Sequence, residues 1–310
     1  MKTASKSRAK AYIAAGAVVF FWASAFPAVR YSLQYYSPEA IMLFRFLIAS
    51  VVLLGYCGFK RIPPPEKRDL PLFLVAGFVG LFLYMWAFIT GTSFVPAGIS
   101  SFVIASAPIF TLILSIVFLK EKASFFIWLG VLVSFGGIAI ISFAQAERME
   151  LNIGILLLLA AAVFTSIFAI IQKRLLRKYT AIQCSAYSVG LAALLMCIFL
   201  PVLIREFPHA PMSANLVITY LGVFPAAAAY FLWSFALSKA EKTVYVMSFL
   251  YLAPFLASIL AFFWLGEEIS ALALLGGLII IAGMILTNLK LTTGWNGPYN
   301  RCIKRRGRPR

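Results

Sequence analysis

Acidic side chains are scarce in this chain, ten Asp and Glu against 27 Lys and Arg, and there is one histidine. None of the eleven lies deep in an apolar run. Glu39, Glu147, Glu150, Glu206, Glu267, Glu268 and His209 map to one set of helix ends and loops, and Glu66, Asp69, Glu121 and Glu241 to the opposite set. A membrane-embedded enzyme needs a metal cluster, a nucleophile with its base, or a carboxylate pair at depth. A side-chain proton relay needs Asp, Glu or His there. Both lack parts, and no phosphate-binding glycine loop is present to support ATP-driven work. Cys57, Cys184, Cys197 and Cys302 show neither CxxC nor metal-ligand spacing, so they read as free thiols. We expect no catalytic residue, metal or cofactor.

Apolar residues are abundant. The 310 residues are 63% hydrophobic and 12% charged, with a mean hydropathy of +0.96, which in water would leave large apolar patches exposed. A span needs roughly 20 apolar residues, and polar breaks separate ten candidates. They are Ala11–Leu33, Pro38–Gly58, Leu70–Thr90, Ala97–Leu119, Ser124–Phe143, Ile153–Ile171, Ala181–Ile204, Leu216–Leu237, Val244–Leu265 and Ser270–Leu289. The expected fold class is an all-α integral membrane protein. The net charge of +17 is first a topology signal. With the N-terminus inside, the basic clusters at 2–10, 60–68, 120–122, 173–178, 239–242 and the tail 290–310 are all cytoplasmic, and the outer loops keep Arg148 and Arg205. Both termini are therefore expected in the cytoplasm of a multi-pass protein of the cell (inner) membrane. The tail segment Lys304 to Arg310 contains Arg-Gly-Arg-Pro, similar to an AT-hook core, but beside a membrane span it reads as a retention signal or a contact for anionic lipid. No nucleic-acid partner is expected.

The chain contains one stretch twice. A shift of 146 positions carries Pro108 to Pro254, Glu121 to Glu267, Ser124 to Ser270, Gly130 to Gly276 and Gly137 to Gly283 without a gap. This is a tandem duplication, of residues 11–143 and 153–289, with 1–10 a cytoplasmic leader. Five helices per copy is an odd number, so the second copy enters the membrane from the opposite side. The hairpin tips agree, Lys120-Glu121-Lys122 being basic and Gly266-Glu267-Glu268 acidic. Ten helices as two inverted five-helix repeats place a substrate site near midplane between the halves. Ala23-Ser24-Ala25 mimics a signal-peptidase site. Its weak counterpart at Thr165-Ser166-Ile167 argues that the first helix is retained.

With these motifs in view, the chain resembles the EamA repeats of the drug/metabolite transporter superfamily. Ala-Pro in the fourth and ninth helices, the Leu-x-Glu-x-x-Ser hairpins and the Gly-rich fifth and tenth helices carry the resemblance, with Trp22-Ala23-Ser24-x-Phe26 and Arg45-Phe46 in the first repeat. It covers about residues 10 to 290 and implies a ten-helix secondary transporter, often an exporter of amino acids or related metabolites. The second repeat departs from the pattern, with Phe164 in place of the Trp and no Arg near Tyr187 or Ser188.

Arg45 is the clearest intramembrane charge, about 10 Å from the outer end of its helix at 1.5 Å per residue. It suits a substrate carboxylate; the alternative is outward snorkelling or a pair with Glu39 or backbone carbonyls. Arg30, nearer the end of the first helix, reads as an interfacial anchor. Pro27, Pro108, Pro225 and Pro254 fall inside expected helices, where each removes a hydrogen bond; the repeat-related pair Pro108 and Pro254 are expected to bend helices around the cavity. Trp22, Ser24, Phe26, Tyr84, Trp86, Ser101, Ser106, Tyr230, Ser248, Tyr251 and Ser258 make up a set of aromatic and small polar groups suited to a compact solute. Gly130 with Ser134, and Ala273 with Gly277, permit close helix approach, within one chain or between copies in a homo-oligomer.

Taken together, these residues and the resemblance describe a secondary transporter of a small neutral or zwitterionic, amino-acid-like metabolite, working by alternating access in the export direction. Its partners are that small-molecule substrate and membrane lipid. The alternatives are a membrane sensor or scaffold without transport, and a carrier of other metabolites in the import direction.

Overall fold

The computed structural model describes residues 2–94, 97–145, 153–265 and 271–288. The second hairpin tip at 266–270, the loop with Glu147, Arg148 and Glu150, and the tail with Trp295 and Cys302 lie outside the described residues, as do the side chains of Ser258 and Ala273. Every regular element among the described residues is helical. In chain order these are α1 (Lys2–Ser32), α2 (Pro38–Phe59), α3 (Leu70–Gly77), α4 (Tyr84–Phe94), α5 (Ala97–Ile104), α6 (Ala107–Leu119), α7 (Phe125–Gln145) and α8 (Ile153–Leu175). They continue with α9 (Ala181–Met196), α10 (Leu200–Glu206), α11 (Met212–Leu221), α12 (Ala229–Lys239), α13 (Thr243–Met247), α14 (Leu252–Leu265) and α15 (Ala271–Asn288).

Among the described residues, six helical stretches are long and apolar enough to cross a membrane: Lys10–Ser32, Pro38–Phe59, Lys67–Phe94, Ile153–Leu175, Ala181–His209 and Met212–Lys239. Large apolar side chains face outward where lipid would lie, among them Val51, Phe59, Ile198 and Leu278. The chain is a multi-pass membrane protein. The remaining apolar helices, Ala107–Leu119, Phe125–Ile140, Thr243–Ala257 and Leu275–Thr287, are shorter. α1 runs through the expected leader, so the first helix starts well before its apolar span.

Local chemistry sets the helix starts. Ser37 caps α2 by accepting from the Ala40 N–H, with Pro38 in the first turn, where its missing N–H is no loss. Thr180 and Gln183 form a reciprocal capping box on α9. Pro108 acts differently. The expected fourth helix breaks at Ala105 and Ser106, and Pro108 sits in the first turn of the restarted α6. The expected ninth helix breaks likewise, α13 passing through a 3-10 turn, Ser248–Tyr251, into α14 with Pro254 near its start. Pro27, by contrast, is carried within a continuous α1.

Two stretches widen into π-helix, Phe78–Leu83 between α3 and α4, and Gly222–Ala228 between α11 and α12. The 146-residue shift superposes them to within two residues. Pro225 supplies a cause for the second, since it cannot donate to the α ladder. The first contains no proline; Gly80 within it packs under Phe168, where an added Cβ would come within 2.5 Å of the ring.

α7 and α15 pack along one another as an antiparallel pair. Gly130 faces Gly283 and Thr287, while Gly137 faces Gly276 and Ile280. The Ser134 hydroxyl donates to the carbonyl of Ile280, 146 positions away, at 3.3 Å. Each residue thus meets the counterpart of the other's partner, the reciprocal pattern of a two-fold contact. The expected close approach through Gly130 and Ser134 occurs inside the chain, and Gly277 packs separately against Phe255 of α14.

Candidate functional site

Residues from the middles of several helices surround a cavity of about 50 Å³, room for a few water-sized groups. Its first wall is α1, with Trp22, Ala25 and Phe26; Tyr84, Met85 and Phe88 of α4 form the second. Thr165 of α8 and Tyr230 of α12 close the far side, and Arg45 of α2 points in. The last wall is made where helices break, by Ser101, Ile104 and Ala105 at the α5–α6 turn and by Leu250 and Ala253 at the start of α14. Both proline-associated breaks therefore border the cavity, and both halves contribute.

Trp22 links two other expected residues, Pro225 and Tyr230, and also meets Trp233. Its indole N–H donates to the Pro225 carbonyl at 3.0 Å, satisfying an acceptor in the π-helical stretch, and its ring meets Tyr230 at 5.8 Å and Trp233 at 5.1 Å between centroids. Phe88, which the sequence did not single out, stacks on Tyr84 at 6.0 Å and meets Phe26 edge-on at 5.5 Å. It lies four residues after Tyr84, one helical turn on. Arg45 is 2% exposed and is the largest fully buried side chain. Among the described residues its one hydrogen bond is from Nη1 to the Met85 sulfur at 3.6 Å, a weak acceptor, and Nε has no partner there. Neither snorkelling nor a pair with Glu39 occurs. Around the guanidinium stand the phenols of Tyr84 and Tyr230, themselves 146 positions apart. Arg30 is exposed.

Other expected residues sit elsewhere. Ser24 is buried against α11, its hydroxyl donating to the Phe21 carbonyl at 2.8 Å and meeting the Tyr220 hydroxyl at 2.5 Å. Trp86 lies on the outer surface at 37% exposure. Ser106 bonds the Val103 carbonyl in the α5–α6 turn. Ser248 donates to the Tyr245 carbonyl, and Tyr251 is buried among Leu112, Val131, Ile138 and Ile280 with its hydroxyl unpaired. Helical spacing put these groups on plausible faces. Which face meets the cavity depends on the rotation of each helix, and a break or π turn resets that rotation.

The sequence did not anticipate two further arrangements. Gln172 of α8 donates to Ser234 at 2.9 Å, Ser234 meets Ser185 at 2.7 Å, and Ser185 donates to the Tyr230 carbonyl at 2.8 Å. This buried chain ties α8, α9 and α12 together and fixes the backbone that carries Tyr230. At the basic end, the Glu121 carboxylate accepts from the Thr243 N–H and hydroxyl at 2.8–3.2 Å, capping the start of α13 in the other half. Lys173 donates to the Leu237 and Ala240 carbonyls at the end of α12, and Arg174 to Phe118 at the end of α6, where cations suit the helix dipole. The two halves are thus joined across this end.

Comparison with known proteins follows the same division of the chain. Residues 9–143 and 152–289 each match the EamA-like transporter family. The chain is 36% identical over 274 residues to "Uncharacterized transporter YdfC" of Bacillus subtilis (strain 168), covering 88% of this chain and 89% of the relative. It is 35% identical over 270 residues to a "Probable terminal-alkyne amino-acid exporter" of Streptantibioticus cattleyicolor, covering 87% and 90%. A solved crystal structure shares the fold with a TM-score of 0.73 at 18% identity, over 90% of this chain and 96% of its own. A duplicated helical membrane chain with a cavity between its copies, matched in each copy by one family, belongs to the EamA-like transporter family.

Proposed function

We propose that the chain is a secondary transporter exporting a small neutral or zwitterionic, amino-acid-like metabolite across the cytoplasmic membrane. Two inverted five-helix halves, 11–143 and 153–289, rock about the central cavity in alternating access, with both termini in the cytoplasm. The observation that carries this reading is the cavity itself, lined from both halves and bordered by helix breaks at Ala105–Ser106 and Ser248–Tyr251. Discontinuous helices at midplane leave backbone groups free for solute and let the two ends of a helix move separately. The reciprocal α7–α15 contact supports the inversion, the positive-inside bias supports the orientation, and the relative named as an amino-acid exporter supports the solute class and direction.

On this reading the contacts Glu121–Thr243, Lys242 to the Lys122 carbonyl at 2.8 Å, and Arg174–Phe118 close the cytoplasmic end in the present conformation. They must break when that end opens. The driving force is the solute's own gradient or exchange, because the cavity lining holds no carboxylate or imidazole to carry a proton.

The test is release of radiolabelled amino acids and small metabolites from loaded liposomes, comparing wild type, Arg45→Ala and empty vesicles. Selective release of an amino acid by the wild type, lost in a folded Arg45→Ala, is expected. Absence of protein-dependent flux for every solute, with and without an imposed pH gradient, overturns the reading.

A further inference from the structure

Resting on the transporter reading, we propose that the cavity selects its solute by one carboxylate, bound by Arg45 between the hydroxyls of Tyr84 and Tyr230, and that a substrate amine is dispensable. The argument starts from what surrounds Arg45. A guanidinium that is 2% exposed offers five N–H donors, and here one meets a thioether while Nε meets nothing. Leaving a buried charged donor unpaired is costly, and planar bidentate pairing with a carboxylate is the geometry that relieves it. Tyr84 and Tyr230 line the same cavity as Arg45 and act on its charge, and neither hydroxyl has a hydrogen-bond partner among the described residues. Each is free to donate to the same anion. Tyr230 is held in place by Trp22, Phe46 and Phe168 around its ring, and Tyr84 by the stack with Phe88.

The opposite chemistry is missing from the same wall. Among the lining residues no side chain carries negative charge, so an ammonium group would meet aromatic faces, carbonyls and the neutral hydroxyls of Ser101 and Thr165, and no opposite charge. A carboxylate gains hydrogen bonds charged on both sides from Arg45, whereas an ammonium gains bonds to neutral acceptors and aromatic faces alone. Recognition is therefore one-sided. The remaining wall is apolar, from Ala25, Phe26, Ile104, Leu250 and Ala253, and fits a hydrocarbon tail. At about 50 Å³ the cavity must widen to take it.

The experiment separates this from transport itself. Purified full-length protein in chloride-free sulfate buffer is titrated with leucine, 4-methylpentanoate, isoamylamine and leucinamide, with binding read from tryptophan fluorescence and the unfolding temperature. Leucine and 4-methylpentanoate are expected to bind within about threefold of each other, and isoamylamine and leucinamide at least tenfold more weakly. Arg45→Gln should abolish the preference and Arg45→Lys restore part of it. Tyr84→Phe and Tyr230→Phe, which keep the packing, should each weaken carboxylate binding severalfold. A chloride titration separates the two sources of an anion, and competition by 4-methylpentanoate is expected. The proposal is overturned if the amines bind as tightly as the acids, if chloride binds and no carboxylate displaces it, or if none of the four binds a folded protein. The transporter reading survives each of these if the liposomes still show flux.

Discussion

At one end of the molecule the Tyr36 hydroxyl donates to Asn215, and at the other the Tyr179 hydroxyl donates to Asp69 at 2.5 Å. The tyrosines are 143 positions apart and their partners 146. The neutral pair is joined by Glu206, which accepts from the Ser37 N–H and hydroxyl. The other carries an ionised partner and recruits Lys178, bonded to Asp69 and Glu66 at 2.5 and 2.8 Å. The site shows the same division. Arg45 has as its counterpart 143 positions on Ser188, buried, with its hydroxyl unpaired. The two copies share helix caps, π turns, breaks and tyrosine latches, and they differ in where charge was placed. Packing geometry survived duplication because both halves must still fold around one another. On the proposed reading, a charge at depth serves the solute and is needed once.

The largest effect is expected from removing that difference. Arg45→Ser makes the first half like the second and should lower solute flux about 10- to 100-fold, as loss of charged hydrogen bonds worth about 1.5–3 kcal/mol implies. Counterflow in liposomes measures it, and unchanged flux would make the halves alike in function.

The seam between the copies comes next. Gly137→Ala puts a methyl 2.7 Å from the Gly276 carbonyl oxygen and 2.9 Å from the Ile280 nitrogen, backbone atoms that cannot give way. A loss of about 1–3 kcal/mol is expected, with a similar loss for Gly283→Ala. Gly136→Ala, with nothing within 4 Å of its added carbon, should leave the unfolding temperature unchanged. Equal melting of Gly136→Ala and Gly137→Ala would rule out the reciprocal contact.

The latches are predicted to differ less. Tyr179→Phe gives up a bond to an ionised Asp69 and one accepted from the Glu66 N–H at 3.0 Å, at about 1 kcal/mol in this partly exposed place. Tyr36→Phe gives up a neutral bond and should cost less. The reverse order of melting temperatures would show that burial, not charge, decides their strength.

The smallest effect is in acid. Hydrogen bonding to Lys178 holds the Glu66 carboxyl below its usual range. A group depressed on folding stabilises above its unfolded value, near pH 4.3, and that contribution is lost as pH falls through the lower folded value. Wild type should therefore lose more stability than Lys178→Ala between about pH 5 and 3. Parallel melting curves would show the ion pair contributes nothing.

Much of the site was legible residue by residue. Trp22, Phe26, Arg45, Tyr84, Ser101 and Tyr230 all reach the cavity wall. Ser24 and Trp86 share helices with them but face Tyr220 and the outer surface, and Tyr251, in the turn before α14, faces a separate core. Met85, Phe88 and Thr165 were unmarked because an ordinary apolar or hydroxyl residue in a span carries no signal of which way it turns. The π-helical Phe78–Leu83 was equally silent, having no proline, and only its counterpart at Pro225 hinted at it.

What the sequence by itself determined was the membrane environment, the repeated stretch, the charge of Arg45 within an apolar run and the prolines near which two helices break. Each follows from hydrophobicity, spacing or the missing N–H of proline, which are properties of the chain alone. Only the tertiary structure decided that Arg45 has no carboxylate partner, that two tyrosines from different halves flank it, and that Glu121 caps a helix of the other copy. Those depend on how rotated helices meet across 40 to 200 residues of chain, and no local pattern encodes that rotation.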